Sequence, residues 1–164
     1  MDKAVEISKL DPEFAEELAQ EPGCQHLMRC FGCGVCTATC PVAEIEAAFS
    51  PSLIIRQILY GLKDQLLASP VIWYCLGCAR CSFTCPQDVR FLDIIRGLRN
   101  LAQKAGAVTP ALASRLEEAD RLLQGLRRRL VDVLLAGSDR KLKELAAGIM
   151  ADLDDPPPRE GDPA

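Results

Sequence analysis

The chain has 164 residues, enough for one ordinary domain with attached structure and too few for two full-sized ones. Hydrophobic residues make up 49%, charged residues 26% and aromatics only 5%, so aliphatic side chains and alanine must build the core, which favours helices over sheets. A net charge of −4 speaks against a general nucleic-acid binder, and the longest apolar run, Val71 to Leu76, falls far short of a membrane span.

The start, Met1-Asp2-Lys3-Ala4-Val5-Glu6, is charged and lacks the apolar stretch of a signal peptide, so a soluble cytoplasmic protein is expected. Asp11-Pro12 offers an N-cap and a first-turn proline for a short helix through Gln20, which Pro22-Gly23 ends. A first cysteine run follows. Ser50-Pro51 repeats the start signal, and Leu53, Ile54, Ile58, Leu59, Leu62 and Leu66 then fall at helical spacing. After a second cysteine run, Phe91, Ile94, Ile95, Leu98, Leu101 and Ala102 predict another amphipathic helix, stopping near Gly106. Thr109-Pro110 opens a further one, in which Leu112, Leu116, Ala119, Leu123, Leu126, Leu130 and Val133 alternate in steps of four and three, as in a coiled-coil seam. Gly137-Ser138 breaks it. Leu142, Leu145 and Ile149 predict a shorter successor, and the proline-rich, charged stretch 152–164 predicts disorder. No stretch alternates with period two long enough for a strand, so the expected class is all-α, with the cysteine loops at helix ends.

Nine cysteines occur: Cys24, Cys30, Cys33, Cys36, Cys40, Cys75, Cys78, Cys81 and Cys85. In the reducing cytoplasm an odd number at this density points to metal rather than disulfides. Eight of them, with Pro41 and Pro86, form one pattern repeated after 45 positions, and Gly32 with Gly77 and Thr39 with Thr84 obey the same shift. Two copies predict a pseudo-twofold unit with two equivalent sites. The run C-x2-C-x2-C-x3-C-P is the one bacterial-type ferredoxins use to hold [4Fe–4S] clusters. Three thiolates two residues apart can wrap one face of a cubane, each meeting a different iron, and the fourth iron needs a ligand from elsewhere. Because the fourth cysteine of such a run ligates the other cluster in two-cluster ferredoxins, one cluster is assigned to Cys30, Cys33, Cys36 and Cys85 and the second to Cys75, Cys78, Cys81 and Cys40. A four-thiolate zinc site is the structural alternative, but it leaves four identically spaced cysteines and both Cys-Pro pairs unexplained.

The remaining candidates have plain readings. Cys24 is expected to be a buried small hydrophobe, and His26, the only histidine, a surface or packing residue. Gly32, Gly34 and Gly77 let backbone N–H groups approach the sulfurs. Phe31, Trp73, Tyr74 and Phe83 are expected to form an apolar shell around the clusters, while Arg29, Arg80, Arg90 and the run Arg127-Arg128-Arg129 are expected in solvent. For the stripe from Leu112 to Val133 two readings stand: packing back as core, or docking a larger partner.

From Cys30 to Ala105 the sequence resembles the C-type iron–sulfur subunit of heterodisulfide reductase (HdrC-like) and its bacterial relatives. The resemblance covers both cluster runs, the linker Ser50-Pro51-Ser52-Leu53-Ile54-Ile55-Arg56, Tyr60-Gly61-Leu62, Ile72-Trp73-Tyr74-Cys75, Cys85-Pro86-Gln87 and the stretch Asp93 to Ala102. It implies an α-helical ferredoxin fold with two intact [4Fe–4S] clusters. It also implies a role as electron relay between the A-type flavoprotein subunit and the B-type disulfide-reducing subunit of such a complex, without activity alone. Expected organisation is an N-terminal segment 1–23, a two-cluster domain 24–106, C-terminal helices 107–151 as a docking element, and the tail. A regulator that senses redox state through its clusters, and a structural zinc module, are the competing functions.

Overall fold

The computed structural model describes residues 6–137, 143–144 and 147–148. Among these there is no strand, and no helix is long and apolar enough to cross a membrane. Helix α1 covers Phe14–Ala19 and starts later than expected: its N-cap is Glu13, without a side-chain cap bond, and the Asp11 carboxylate accepts from the Glu13 N–H (3.0 Å) in the turn before it. Ser50 caps α4 (Pro51–Leu59) by accepting from the Leu53 N–H at 3.4 Å.

The hydrophobic spacing after Ser50 predicts one helix through Leu66; the structure has two. α4 ends at Leu59, and α5 covers Lys63–Leu67. Gly61 makes the break, with φ +76°, while the Leu62 N–H donates back to the Gln57 carbonyl, closing a left-handed C-terminal cap. A side chain there would also strike backbone, because a Cβ on Gly61 would stand 2.3 Å from the Asp11 carbonyl oxygen. The buried face shifts too: Ile54, Ile55 and Ile58 enter the core, whereas Leu53 and Leu59 are exposed.

The helix after the second run forms as predicted. α7 covers Phe91–Lys104, and Phe91, Ile94, Ile95, Leu98, Leu101 and Ala102 are all buried. It packs against α1 and α5, so the core of Phe14, Leu18, Ile54, Ile58, Leu66 and Ile94 has α7 as its spine. Gly97 lies in mid-helix because Cys24 Sγ, Leu18 and Glu21 crowd it; a Cβ there would stand 2.9 Å from the sulfur. Cys24 is fully buried and donates its S–H to the Asp93 carbonyl at 3.3 Å, and burial pushes its thiol up to about 11. The buried Glu21 carboxylate accepts from Lys104 and Asn100, and Lys104 above all holds it below the usual carboxylate range.

A last described helix, α8, covers Pro110–Leu135, with Thr109 Oγ1 accepting from the Leu112 N–H at 3.2 Å. By its contacts the chain divides into two units, one ending at Leu116 and the other beginning at Glu117. In the first, Ala113 of α8 is buried. In the second, Leu126, Leu130 and Val133 are half-buried while Leu123 and the three arginines 127–129 are exposed. The predicted helix of Leu142, Leu145 and Ile149 and the tail 152–164 lie outside the described residues.

Candidate metal centre

Each cysteine run folds in the same way. A single 3-10 turn, Leu27–Arg29 or Pro70–Trp73, leads into the first cysteine. A glycine with positive φ follows, Gly32 (+75°) or Gly77 (+70°), and then one helical turn: α2 (Val35–Ala38) carrying Cys36, or α6 (Arg80–Phe83) carrying Cys81. The residue before that turn is left-handed in both copies, Gly34 at φ +79° and Ala79 at φ +61°. Only glycine takes that conformation without strain. Ala79→Gly is therefore expected to stabilise the protein by about 0.5–1 kcal/mol, checked by denaturant unfolding against wild type. A loss of stability instead would show that packing of the Ala79 methyl outweighs the relief.

The two copies also share the bonds that fix them. Thr37 Oγ1 accepts from the Ser52 N–H (3.0 Å) at the start of α4, and Ser82 Oγ accepts from the Leu92 N–H (3.3 Å) at the start of α7. Thr37 and Ser82 keep the 45-residue shift, but Ser52 and Leu92 are 40 apart, as are Ile54 and Ile94. The five extra residues of the first half accommodate α3 (Pro41–Ile45), which begins directly after Cys40. Between the halves the Thr39 and Thr84 hydroxyls stand 3.3 Å apart, marking the pseudo-twofold axis. His26 joins the entry of the first run to the exit of the second, its Nδ1 donating to the Asp88 carbonyl at 2.9 Å.

Two cavities result. The first, about 420 Å³ and partly open to solvent, is lined by Cys30, Cys33 and Cys36 together with Cys81, Cys85, Gly32, Gly34, Ile55, Val89 and Phe91. The second, about 320 Å³, is lined by Cys75, Cys78 and Cys81 together with Cys40, Val42, Phe49 and Phe91. Cys81 and Phe91 line both. Among the described residues no three His, Cys, Asp or Glu side chains converge as a single ion requires; the thiols instead surround volumes. An all-thiol donor set arranged in this way fits [4Fe–4S] clusters.

The sulfurs differ in surroundings. Cys33 and Cys78, equivalent in the repeat, are exposed, whereas Cys81 is buried and its thiol is pushed up to about 11 by that burial. Burial also raises Cys36 and Cys75; at Cys75 an N–H from Gly77 and the charge of Arg99 oppose it. The Gly77 N–H reaches Cys75 Sγ at 3.5 Å, and the Val89 N–H reaches Cys85 Sγ at the same distance.

The expected aromatic shell is corrected in its membership. Phe83 is 88% exposed and Phe31 63%, and Tyr74 is exposed as well; only Trp73 is half-buried. Phe31, though exposed, does line the first cavity, as does Val35, and Leu76 lines the second; the rest of the apolar walls come from Phe49, Phe91, Val42, Val89 and Ile55. Arg29, Arg80 and Arg90 are exposed, as expected. Arg99 could not have been singled out beforehand: nothing local distinguishes it from the other arginines of an amphipathic helix.

Comparison with known proteins accords with this geometry. Residues 29–90 match the family described as 4Fe-4S dicluster domain. The chain is 34% identical over 102 residues to the C subunit of the H(2):CoB-CoM heterodisulfide,ferredoxin reductase of Methanothermobacter thermautotrophicus, covering 62% of this chain and 54% of that one. It is 33% identical over 118 residues to the second C-type iron-sulfur subunit of the CoB--CoM heterodisulfide reductase of Methanocaldococcus jannaschii, covering 68% and 61%. To the C2 subunit of the H(2)/formate:CoB-CoM heterodisulfide,ferredoxin reductase of Methanococcus maripaludis it is 38% identical over 110 residues, covering 65% and 59%. The chain thus spans about half the length of the first of these relatives, 54%. With two cysteine-walled cavities related by an internal repeat, residues 29–90 are a 4Fe-4S dicluster domain that holds two [4Fe–4S] clusters in an all-α fold, and over this part the chain resembles the C-type iron–sulfur subunit of heterodisulfide reductases.

Proposed function

We propose that the chain is the electron-relaying subunit of a cytoplasmic heterodisulfide reductase-like complex, set between a flavin-bearing partner of the A type and a disulfide-reducing partner of the B type. Its first cluster is held by Cys30, Cys33, Cys36 and Cys85, its second by Cys75, Cys78, Cys81 and Cys40. The observation that carries this reading is the lining of the two cavities: Cys85 faces the cavity of the first run and Cys40 that of the second. When bound, each cluster supplies a reversible one-electron site. With four thiolates each, neither leaves an iron open to substrate, unlike catalytic metal sites with a vacant position.

The chain's own residues hold and insulate. Phe91 walls both cavities, and Phe49 and Val42 wall the second; these apolar side chains exclude water, which lowers the local dielectric that sets potentials. The exposed Cys33 and Cys78 leave each site with one edge at the surface, where a partner's redox group can approach. Residues 24–106 form the cluster-binding domain in this reading, with 107–151 available for docking.

The test is iron, acid-labile sulfide and electron uptake on anaerobically purified protein. About eight iron and eight sulfide per chain are expected, with two electrons taken up reversibly and no disulfide reduction by the chain alone. Zinc without visible absorbance removes the relay. Competent disulfide reduction in the absence of partners contradicts the division of labour.

A further inference from the structure

The segment entering the second run is clamped by one side chain from α7. Arg99 donates from Nε to the Ile72 carbonyl at 2.9 Å, and from Nη2 to the Trp73 and Cys75 carbonyls at 3.1 Å each. Its guanidinium also lies over the Trp73 ring, 5.2 Å from the centroid. We propose that Arg99 is a positioning residue that fixes the entry to the second run and raises the reduction potential of the cluster borne on Cys75, Cys78 and Cys81. The inference rests on the two-cluster assignment above.

Reduction adds one negative charge to a site already surrounded by thiolates, so a fixed cation nearby stabilises the reduced form more than the oxidised one. Arginine keeps its charge at any working pH, and its planar fork, bonded to three carbonyls, is held in place before the electron arrives. Arg99 is half-buried, where a charge acts more strongly than in water. The first half lacks the equivalent: at the 40-residue offset stands Leu59. Arg56 comes near the first run, with Nη2 3.7 Å from where a Cβ on Gly32 would stand, but it is exposed and screened by solvent. The effect is therefore confined to one cluster.

The experiment is a dithionite titration followed by EPR on the full chain, in wild type, Arg99→Gln and Arg99→Lys. In Arg99→Gln one of the two one-electron steps is expected to move down, with the reduced-to-oxidised ratio at fixed poise falling about tenfold, about 59 mV. The other step stays in place, and Arg99→Lys, which keeps the charge but not the fork, remains within about threefold of wild type. Two unmoved steps, two steps moved equally, or equal shifts in both variants overturn the proposal. If Arg99→Gln purifies without its second cluster, Arg99→Lys decides: a potential near wild type sustains the proposal, and a tenfold fall defeats it. A wild type without two reducible steps sinks the cluster assignment instead, and is recognised before any variant is made.

Discussion

Replacing Cys40 by serine is expected to remove or alter the cluster on Cys75, Cys78 and Cys81, and to leave the one on Cys30, Cys33 and Cys36 in place. Sequence proximity alone predicts the opposite, since Cys40 lies four residues from Cys36. The fold separates them: α2 carries Cys36 into the first cavity, and the chain then turns at Cys40, whose side chain faces the second. Serine is a harder and less acidic ligand than cysteine, so one iron of the second cluster loses its thiolate. Iron content should fall from about eight toward about four per chain, with one of the two reduced-cluster signals missing or shifted. Cys85→Ser gives the mirror result. Selective damage to the first cluster by Cys40→Ser is the outcome that refutes the crossing.

Phe91→Ala should weaken both sites at once. Phe91 is buried at the start of α7, packs edge-on against Phe49 with ring centroids 6.4 Å apart at 73°, and forms part of the wall of both cavities. Truncating a buried phenylalanine costs about 3–5 kcal/mol through lost apolar contact and the cavity left behind. Here the void opens between two metal sites, so water gains access to both. Cluster bleaching in mild denaturant should accelerate for the two clusters together, with Phe91→Leu, which keeps most of the volume, lying much closer to wild type. If one cluster bleaches faster while the other keeps the wild-type rate, the wall serves only one cavity.

The repeat also explains why the helical halves are not interchangeable. The loops keep the 45-residue shift because each must wrap the same kind of site, and small departures in backbone angle there would misplace a sulfur. The helices that follow keep a 40-residue shift because α3 adds five residues to the first half alone. Thus Ile54 and Ile94 match at this offset and are both buried, while the offset pairs the charged Arg99 with the uncharged Leu59. Two sites alike in ligands differ in their electrostatic surroundings.

Sequence alone determined the metal chemistry, the doubling of the site and the helical class. Ligand spacing is a local property of a tight loop, and the period of α7 is a local property of its apolar face; both survive without knowledge of what they pack against. Caps at Ser50 and Thr109 were legible for the same reason, because each bonds to the N–H three residues on. Tertiary structure decided the rest. It broke the predicted long helix at Gly61, where backbone approaches too closely for any side chain, and it rotated the buried face of α4 onto Ile55. It also set Phe49 and Phe91 beside Phe31 as aromatic cavity walls, and it brought Arg99 to the entry of the second run. The Arg99 bonds, for example, join residues 24 to 27 positions apart, and only the packed chain brings such residues together.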